Sequence, residues 1–416
     1  MRQRTERRGP SLVYVLGKFP SISETFILRE MQALEGRGLR LCVLSLEPSD
    51  ETVHADARGL AERTVYRPAP LSVRSLLAQL LAALSHPLGY LSAFAFALRA
   101  GARAPGAIPE LLRSLWAAGY FACALRGRRA RHVHAHFASM PATVGLLLAH
   151  ILGTTFSFSA HARDIFTGES LVLERKLGEA EFVTVCTRYG LDYLRRQHPV
   201  AVGERLNLIY HGVNIVELMP LPARPAEPPI ILSVGRLVEK KGFPILLRAA
   251  AILRSTGLDF ELHIVGDGPD ADDLRHLAGG LGLSDCTRFH GSMPHEELIP
   301  LFQSATLFTL ASVVASDGDR DGLPNVFVEA LALGIPAVGT NVSAIPEIIE
   351  HERTGLLARP GDPEDLADAM ERLVLDEQLR ARVIEQGRRL VLTKFDIQQN
   401  VGALLKLFER VMSRRR

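Results

Sequence analysis

Residues 319–340 read DRDGLPNVFVEALALGIPAVGT. An acidic loop runs into an apolar helical stretch, and the short strand-like run IPAVGT follows. Loop, helix and strand in that order are one step of an α/β fold. Pro324 suits the first helical position, where its missing N–H would have no partner anyway, and Gly334 suits the stop behind the helix. Asp321 then lies in the loop before a helix N-terminus, and Glu329, eight positions on, lies inside the helix. The backbone at Gly322, Leu323, Pro324, Asn325 and Val326 forms a helix entrance of the kind that binds phosphate. The two acids flank it and are placed to hold sugar hydroxyls. A solvated acidic loop ahead of a core helix is the plainer alternative.

The alternation extends both ways. Upstream come the strand IILSVGRL from Ile230, the helix FPILLRAAAILRSTG, the strand FELHIVG and the further pairs ADDLRHLAGGLG, CTRFHG, HEELIPLFQSA and LFTLA. Downstream, DPEDLADAM starts a helix with Asp362 as cap and Pro363 after it. A second series fills the N-terminal half. It runs LVYVLG, the helix ETFILREMQALEGRG with Ser23 as N-cap, LRLCVLSL, then RHVHAH, PATVGLLLAHIL, TTFSFSAH, FVTVCT and LNLIYHG. The proline-rich, aperiodic VNIVELMPLPARPAEPPI separates the two series as a linker. The expected architecture is therefore α/β, with two Rossmann-like parallel-sheet domains at 1–213 and 230–390 joined by a linker at 214–229. A C-terminal helix within 391–416 is expected to pack back on the first domain. Ligands of open α/β sheets bind beyond the carboxyl ends of the strands, here in an interdomain cleft.

A chain of 416 residues with 47% apolar content is long enough for two or three cores. The formal net charge of +2 gives no general reason to expect nucleic acid. Basic residues cluster at the N-terminus, at Arg126 to Arg131 and at the C-terminus. Four scattered cysteines form no metal-spaced pair, and the basic start runs into LVYVLG without the features of a signal peptide, so a reduced, cytoplasmic protein is expected. Residues 71–125 are the most apolar region, yet Arg74, Gln79, His86 and Pro87 interrupt it before it could span a bilayer. Buried helices are the plain reading there, and contact with the inner face of the plasma membrane is the alternative.

Four loops carry candidate chemistry. In GRLVEKKG, Arg236 follows a strand and Lys241 opens the next helix, a spacing that lets two cations neutralise a diphosphate. VGDGPD, with Gly266, lacks the full G-x-G-x-x-G pattern and does not support a nicotinamide dehydrogenase. Its glycines permit close approach of a nucleotide or simply make a tight turn. SAHARD supplies His161 at a strand end and Asp164 to fix the turn after it. His134 and His136 have the i, i+2 spacing of a metal pair but no clear third ligand, so no metal is expected, and His136 stands near the site at best. In KFPSISETFI, Ser23, Glu24 and Thr25 open the first helix and favour an anion or a hydroxyl-bearing acceptor.

Taken together, SVGRLVEKKG, VGDGP, DGLPNVFVEALALGIPAVGT and RTGLLARPGDPEDLA resemble the retaining glycosyltransferases of family 4, which have the two-domain GT-B fold. FPSISETFI, SFSAHARDI and SVVASDGDRDGLPN are similar to the subgroup that builds exopolysaccharides such as colanic acid or amylovoran. The resemblance implies that Arg236 and Lys241 bind the donor diphosphate, Asp321 contacts the donor sugar and Glu329 holds the ribose. It further implies that His161 contacts the sugar near the reacting carbon, and that Gly266 and the stretch from His290 to Met293 lie against the base. Here the first acid is Asp where Glu is more usual, and SISET replaces a glycine-rich loop. The implied activity is hexose transfer from a nucleoside-diphosphate sugar to a saccharide acceptor, lipid-linked in this subgroup, with retention and without cofactor or metal. A nucleotide-sugar epimerase of the same fold and a non-catalytic saccharide-binding GT-B subunit are the alternatives.

Overall fold

The computed structural model describes residues 12–21, 24–49, 57–69, 72–168, 172–218 and 227–414. The chain divides into two compact units. One comprises residues up to Cys186 with Gly190–Ile209 and the chain from Val401; the other comprises Thr187–Tyr189 and Tyr210–Asn400. The divisions fall at 209/210 and 400/401, beside the expected boundaries at 213 and 391. Half of the expected linker, residues 219–226, lies outside the described residues.

In the first unit the described strands are β1 (Leu12–Phe19), β2 (Leu41–Pro48), β3 (Val65–Tyr66), β4 (His132–His136), β5 (Thr155–Ala160), β6 (Val183–Val185) and β7 (Leu206–Leu208). They form one sheet in the order β3-β2-β1-β4-β5-β6-β7, and every pairing is parallel. The second unit holds β8 (Ile230–Val234), β9 (Glu261–Val265), β10 (Thr287–Phe289), β11 (Leu307–Leu310), β12 (Ala337–Thr340) and β13 (Leu356–Ala358). Their order is β10-β9-β8-β11-β12-β13, again all parallel. Both orders reverse direction once, between β1 and β4 and between β8 and β11. That reversal is the doubly wound arrangement, in which loops leaving the two central strands diverge and open a crevice. The expected pair of Rossmann-like sheets is what the chain forms.

Most strands are buried on both faces and read as apolar runs such as IILSV and LFTL. Strand β4, HVHAH, is different. Its three histidines share one face with Thr155, Ser157 and Ser159 of β5 and are matched to them in register. His132 bridges Thr155 Oγ1 (2.7 Å) and Ser157 Oγ (2.6 Å), and His134 bridges Ser157 Oγ (2.7 Å) and Ser159 Oγ (3.0 Å). Phe182 and Phe408 cover this ladder, the latter from the C-terminal helix Ile397–Ser413. Burial, with His136 and His132 beside it, pushes the basicity of His134 well below that of an ordinary histidine.

The helices Val73–Ser85 and Pro87–Arg103 reverse the usual pattern. Mostly small and polar residues face inward: Ser75, Ala78, Ala82, Ala93 and Ala97 are buried, with Phe96 among them. Gln79 donates to the carbonyl of Trp116 at 2.8 Å, and Trp116 donates to Ser75 Oγ at 2.6 Å. The leucines face outward, with Leu84 70% and Leu88 82% exposed and Leu77, Leu80, Leu91 and Leu98 also exposed. The plain reading of these helices as buried is thus corrected for one face: the small face makes the core contact and the leucine face is exposed. No single helix among the described residues is long and apolar enough to cross a membrane. These two have the combined length and apolarity but are bent by 112°.

Candidate functional site

In the second unit the loops leaving β8 and β11 meet. Residues Glu239–Lys241 form a 3₁₀ turn after β8, closed by Gly242 at φ +65°, where an added Cβ would lie 1.8 Å from the carbonyl oxygen of Ala311. Only glycine fits that approach, and it brings the lysines against the loop that follows β11. Lys241 donates to Asp321 Oδ2 at 2.9 Å, and Ser312 donates to the same oxygen at 2.9 Å. Lys240 belongs to the same cluster: its ammonium lies 3.1 Å from Asp319 Oδ2 and 3.9 Å from Asp321 Oδ1. Arg236 is exposed, and its guanidinium makes no ion pair among the described residues.

The helix after Asp321 spans Asn325–Ala332. Pro324 is its N-cap, in an extended conformation (φ −63°, ψ 116°), and not its first helical residue as expected. The entrance starts one residue later because the proline's fixed φ suits the cap equally well. Leu323, Asn325 and Val326 therefore supply the backbone N–H groups there, and Pro324 supplies none. Gly334 (φ +78°) ends the helix as expected: its N–H bonds to Leu331 and that of Ile335 to Ala330, the paired closure of a left-handed stop. Glu329 is buried on this helix, and Gly322 and Leu323 are half-buried ahead of it. Asp362 caps its own helix through the N–H of Asp365 at 3.0 Å, with Pro363 following.

In the glycine loop after β9, a Cβ at Gly266 (φ +136°) would lie 2.0 Å from the carbonyl oxygen of Gly235, so the close backbone approach that requires glycine at this position is that of the neighbouring loop. His290 packs against His263 with ring centroids 4.9 Å apart. Its buried Nε2 has no hydrogen-bond partner among the described residues, and burial lowers its basicity. Met293 is half-buried against the same core.

The first unit has its own cluster at the β1/β4 reversal. Asp164 accepts from the backbone N–H groups of Ala138 (2.7 Å), His161 (3.1 Å) and Ala162 (2.8 Å), fixing the turn as expected. Burial outweighs these bonds and raises its pKa. His161 is buried beside Phe137, whose ring centroid is 4.4 Å away and whose backbone sits at φ +71°, rare for a bulky residue. His136 Nδ1 lies 3.3 Å from His161 Nε2, and His136 Nε2 lies 3.0 Å from Glu30 Oε1. The sequence reading missed Glu30. It stands four residues after Phe26, itself 5.2 Å from His161, and that i, i+4 spacing on one helix face was the available signal. Glu30 also supplies the third ligand type that His134 and His136 lacked, with ligand atoms of all three within 4.8 Å. Yet both nitrogens of each histidine already face a serine, a glutamate or another imidazole, so the group is a hydrogen-bonded network as it stands. Ser23 lies outside the described residues. Glu24 occupies the N-cap position without a side-chain capping bond, and Thr25 begins the helix Thr25–Gly36.

Lys176 is fully buried beside this cluster. Its ammonium contacts the carbonyls of Ala138 and Ser139 and, at 3.1 Å, Thr143 Oγ1. Burial lowers its pKa from 10.5 to about 8. The folded chain thus sheds this proton before the unfolded chain does, so the cost of burying the charge is full below about pH 8 and is relieved as pH rises towards 10.5. Lys176→Met is expected to remove that increment of stability. Tyr14, whose pKa burial and Glu30 raise above 10.0, acts in the opposite sense at higher pH in parent and variant alike. Denaturant melts of both proteins at pH 7, 8 and 9.5 check this, and equal pH dependence would refute it.

Comparison with known proteins agrees with this architecture. Residues 217–390 match the family described as glycosyl transferases group 1. Over 217 residues the chain is 36% identical to the amylovoran biosynthesis glycosyltransferase AmsK of Erwinia amylovora, covering 51% of this chain and 53% of that one. Over 208 residues it is 34% identical to a glycosyltransferase named for colanic acid biosynthesis, WcaL of Escherichia coli (strain K12), covering 49% and 51%. The chain spans about half the length of the curated relatives it matches. The structure of the Anabaena protein HepE in complex with UDP-glucose superimposes with a TM-score of 0.69 at 17% identity, covering 95% of this chain and 99% of that one. From its sheet order and these likenesses, the chain has the GT-B fold, and its residues 217–390 form a glycosyl transferases group 1 domain.

Proposed function

We propose that this protein transfers a hexose from a nucleoside-diphosphate sugar to a saccharide acceptor, with retention at the anomeric carbon, in the synthesis of a cell-surface polysaccharide. The observation that carries the reading is the cluster of Lys240, Lys241, Asp319 and Asp321 beside the entrance of the helix Asn325–Ala332, where the central strands of the second unit diverge. The reading assigns the donor diphosphate to Arg236, Lys241 and the N–H groups of Leu323, Asn325 and Val326. These groups neutralise the charge that grows on the diphosphate as its bond to the sugar breaks. Asp321 is assigned to the donor sugar and Glu329 to the ribose. His161 in the first unit is assigned to the sugar near the reacting carbon. Fixed cations carry the neutralisation, so no metal is assigned to the step.

The relatives are named for exopolysaccharide synthesis, and HepE is described with UDP-glucose; both support the class of donor and product. The acceptor is proposed to be lipid-linked, with the protein seated on an anionic membrane surface through the outward leucines of 76–98. The same stretch, residues 72–131, holds eight arginines and one acid, Glu110. Apolar side chains with interspersed arginines suit a bilayer interface carrying negative lipid.

A thermal-stability panel of UDP, GDP, ADP and TDP tests the donor. One nucleotide is expected to raise the melting temperature by mass action, and Arg236→Ala, which breaks no ion pair among the described residues, to weaken that nucleotide roughly tenfold or more. If no nucleotide stabilises the protein, the donor reading fails.

A further inference from the structure

We propose that Glu239 and Lys240 are positioning residues that fix the loop carrying Asp321, so that its carboxylate is aimed at the donor sugar, and that Lys240, unlike Lys241, takes no part in holding the diphosphate. The inference rests on the reading that Asp321 meets that sugar. It starts from the stretch between β11 and the helix Asn325–Ala332, residues 311–324, all of them described and none in a helix or strand. Ordering such a stretch costs conformational entropy at every residue, so its shape has to be held by contacts from elsewhere. The turn Glu239–Lys241 supplies them at three consecutive residues.

Glu239 takes the outer end: its two carboxylate oxygens accept from the N–H and the hydroxyl of Ser316, each at 2.9 Å. Lys240 takes the middle. Its carbonyl accepts from the N–H of Val313 at 2.9 Å, and its ammonium lies 3.2 and 3.1 Å from the two oxygens of Asp319. Lys241 takes the inner end, on Asp321. Between these ties the loop folds on itself, Ala315 donating to the carbonyl of Asp319 at 2.8 Å and the N–H of Asp319 to Asp317 Oδ1 at 2.8 Å. Ser316 is exposed while Asp319 and Asp321 are buried, so the ties run from solvent inward. Asp319 stands two residues before Asp321. Where Lys240 holds the first acid therefore decides where the second can reach.

The two lysines are thereby divided in role. The ammonium of Lys240 is engaged by both oxygens of a buried carboxylate, whereas Asp321 Oδ2 accepts from Ser312 as well as from Lys241. A diphosphate that draws Lys241 towards itself leaves Asp321 on Ser312 and the loop on Lys240. The sugar-facing acid keeps its aim while the phosphate-facing cation moves. That aim matters, because a misplacement of about 1 Å can cost roughly a hundredfold in rate.

The experiment compares the full chain with its Lys240→Met, Lys240→Arg, Glu239→Ala and Asp321→Asn variants by hydrogen exchange over residues 312–322, by titration with UDP and GDP, and by release of diphosphate from UDP-glucose and GDP-mannose. Lys240→Met is expected to speed exchange roughly tenfold or more, to leave the affinities for UDP and GDP unchanged, and to lower turnover roughly tenfold or more. Lys240→Arg is expected to restore most of both losses, and Glu239→Ala to act in the same direction as Lys240→Met. Glu239 is exposed, so its variant carries the test even where Lys240→Met does not fold. Unchanged exchange in Glu239→Ala and Lys240→Met overturns the proposal, and so does a Lys240→Met protein that loses UDP or GDP as Arg236→Ala does. If Asp321→Asn turns over at the parent rate, or the parent neither binds a nucleotide nor turns over either donor, the donor reading falls and this one with it. If Asp321→Asn is impaired while Lys240→Met and Glu239→Ala keep the parent rate, the positioning role alone is overturned.

Discussion

Asp321→Asn is expected to lower sugar transfer roughly a hundredfold, the scale of losing one preorganised charged group in an active site, and to weaken the fold as well. Both effects have one cause. The Asp321 carboxylate is 7% exposed and accepts from Lys241 and Ser312 through the same oxygen, with Lys240 near the other. The amide removes the charge that pairs with Lys241, while Lys240 keeps Asp319. Breaking a buried pair costs about 3–5 kcal/mol; because the lysines keep 13% and 21% exposure, the lower end applies. Glu329→Gln, away from that pair, is expected to spare the fold and to weaken nucleoside-diphosphate binding roughly tenfold, as loss of a bond to a charged group does. Denaturant melts read the first effect; nucleotide titration and diphosphate release read the second. An Asp321→Asn protein that turns over donor at the parent rate, however unstable, would make the cluster a structural clamp only.

The second large effect is expected at the leucine face. Leu84→Glu combined with Leu88→Glu should cut binding to anionic liposomes by at least roughly a hundredfold, since full burial of each leucine contributes about 1.5–3 kcal/mol. The fold should be nearly untouched, because both side chains already stand mostly in solvent. Co-sedimentation with anionic and neutral vesicles at low and high salt is the measurement, with the parent bound best to anionic vesicles at low salt. No binding by the parent under any condition refutes the membrane reading. A parent that sediments as a dimer and is made monomeric by the substitutions assigns the face to a second copy instead.

The α/β alternation, the strand ends bearing His136 and His161, the turn-fixing Asp164 and the Gly334 stop were legible because each depends on local chemistry. Period, cap and turn preferences act within a few residues. What escaped depends on which strands become neighbours. Glu30 reaches His136 only because β1 lies beside β4, and the two residues are 106 positions apart. Ser312 and Asp319 joined the cluster for the same kind of reason. On the leucine helices the helical period was readable but its sense was not: a stripe of leucines and a stripe of alanines have the same spacing, and only packing decides which turns inward. Pro324 was misplaced by one position because the fixed φ of proline fits both the cap and the first turn.

The histidine and hydroxyl ladder between β4 and β5 also constrains how the first unit comes together. If the two strands slipped by one residue, the imidazoles would oppose Phe156 and Phe158, and the hydroxyls would be buried without partners. An all-aliphatic strand pair tolerates such misalignment for little cost, but here each wrong alignment strands several polar groups at once. The ladder therefore works as an indexing key. It lets the chain discard misaligned assemblies early, and it ties Thr155, Ser157 and Ser159 to the histidines as a set that can change only together.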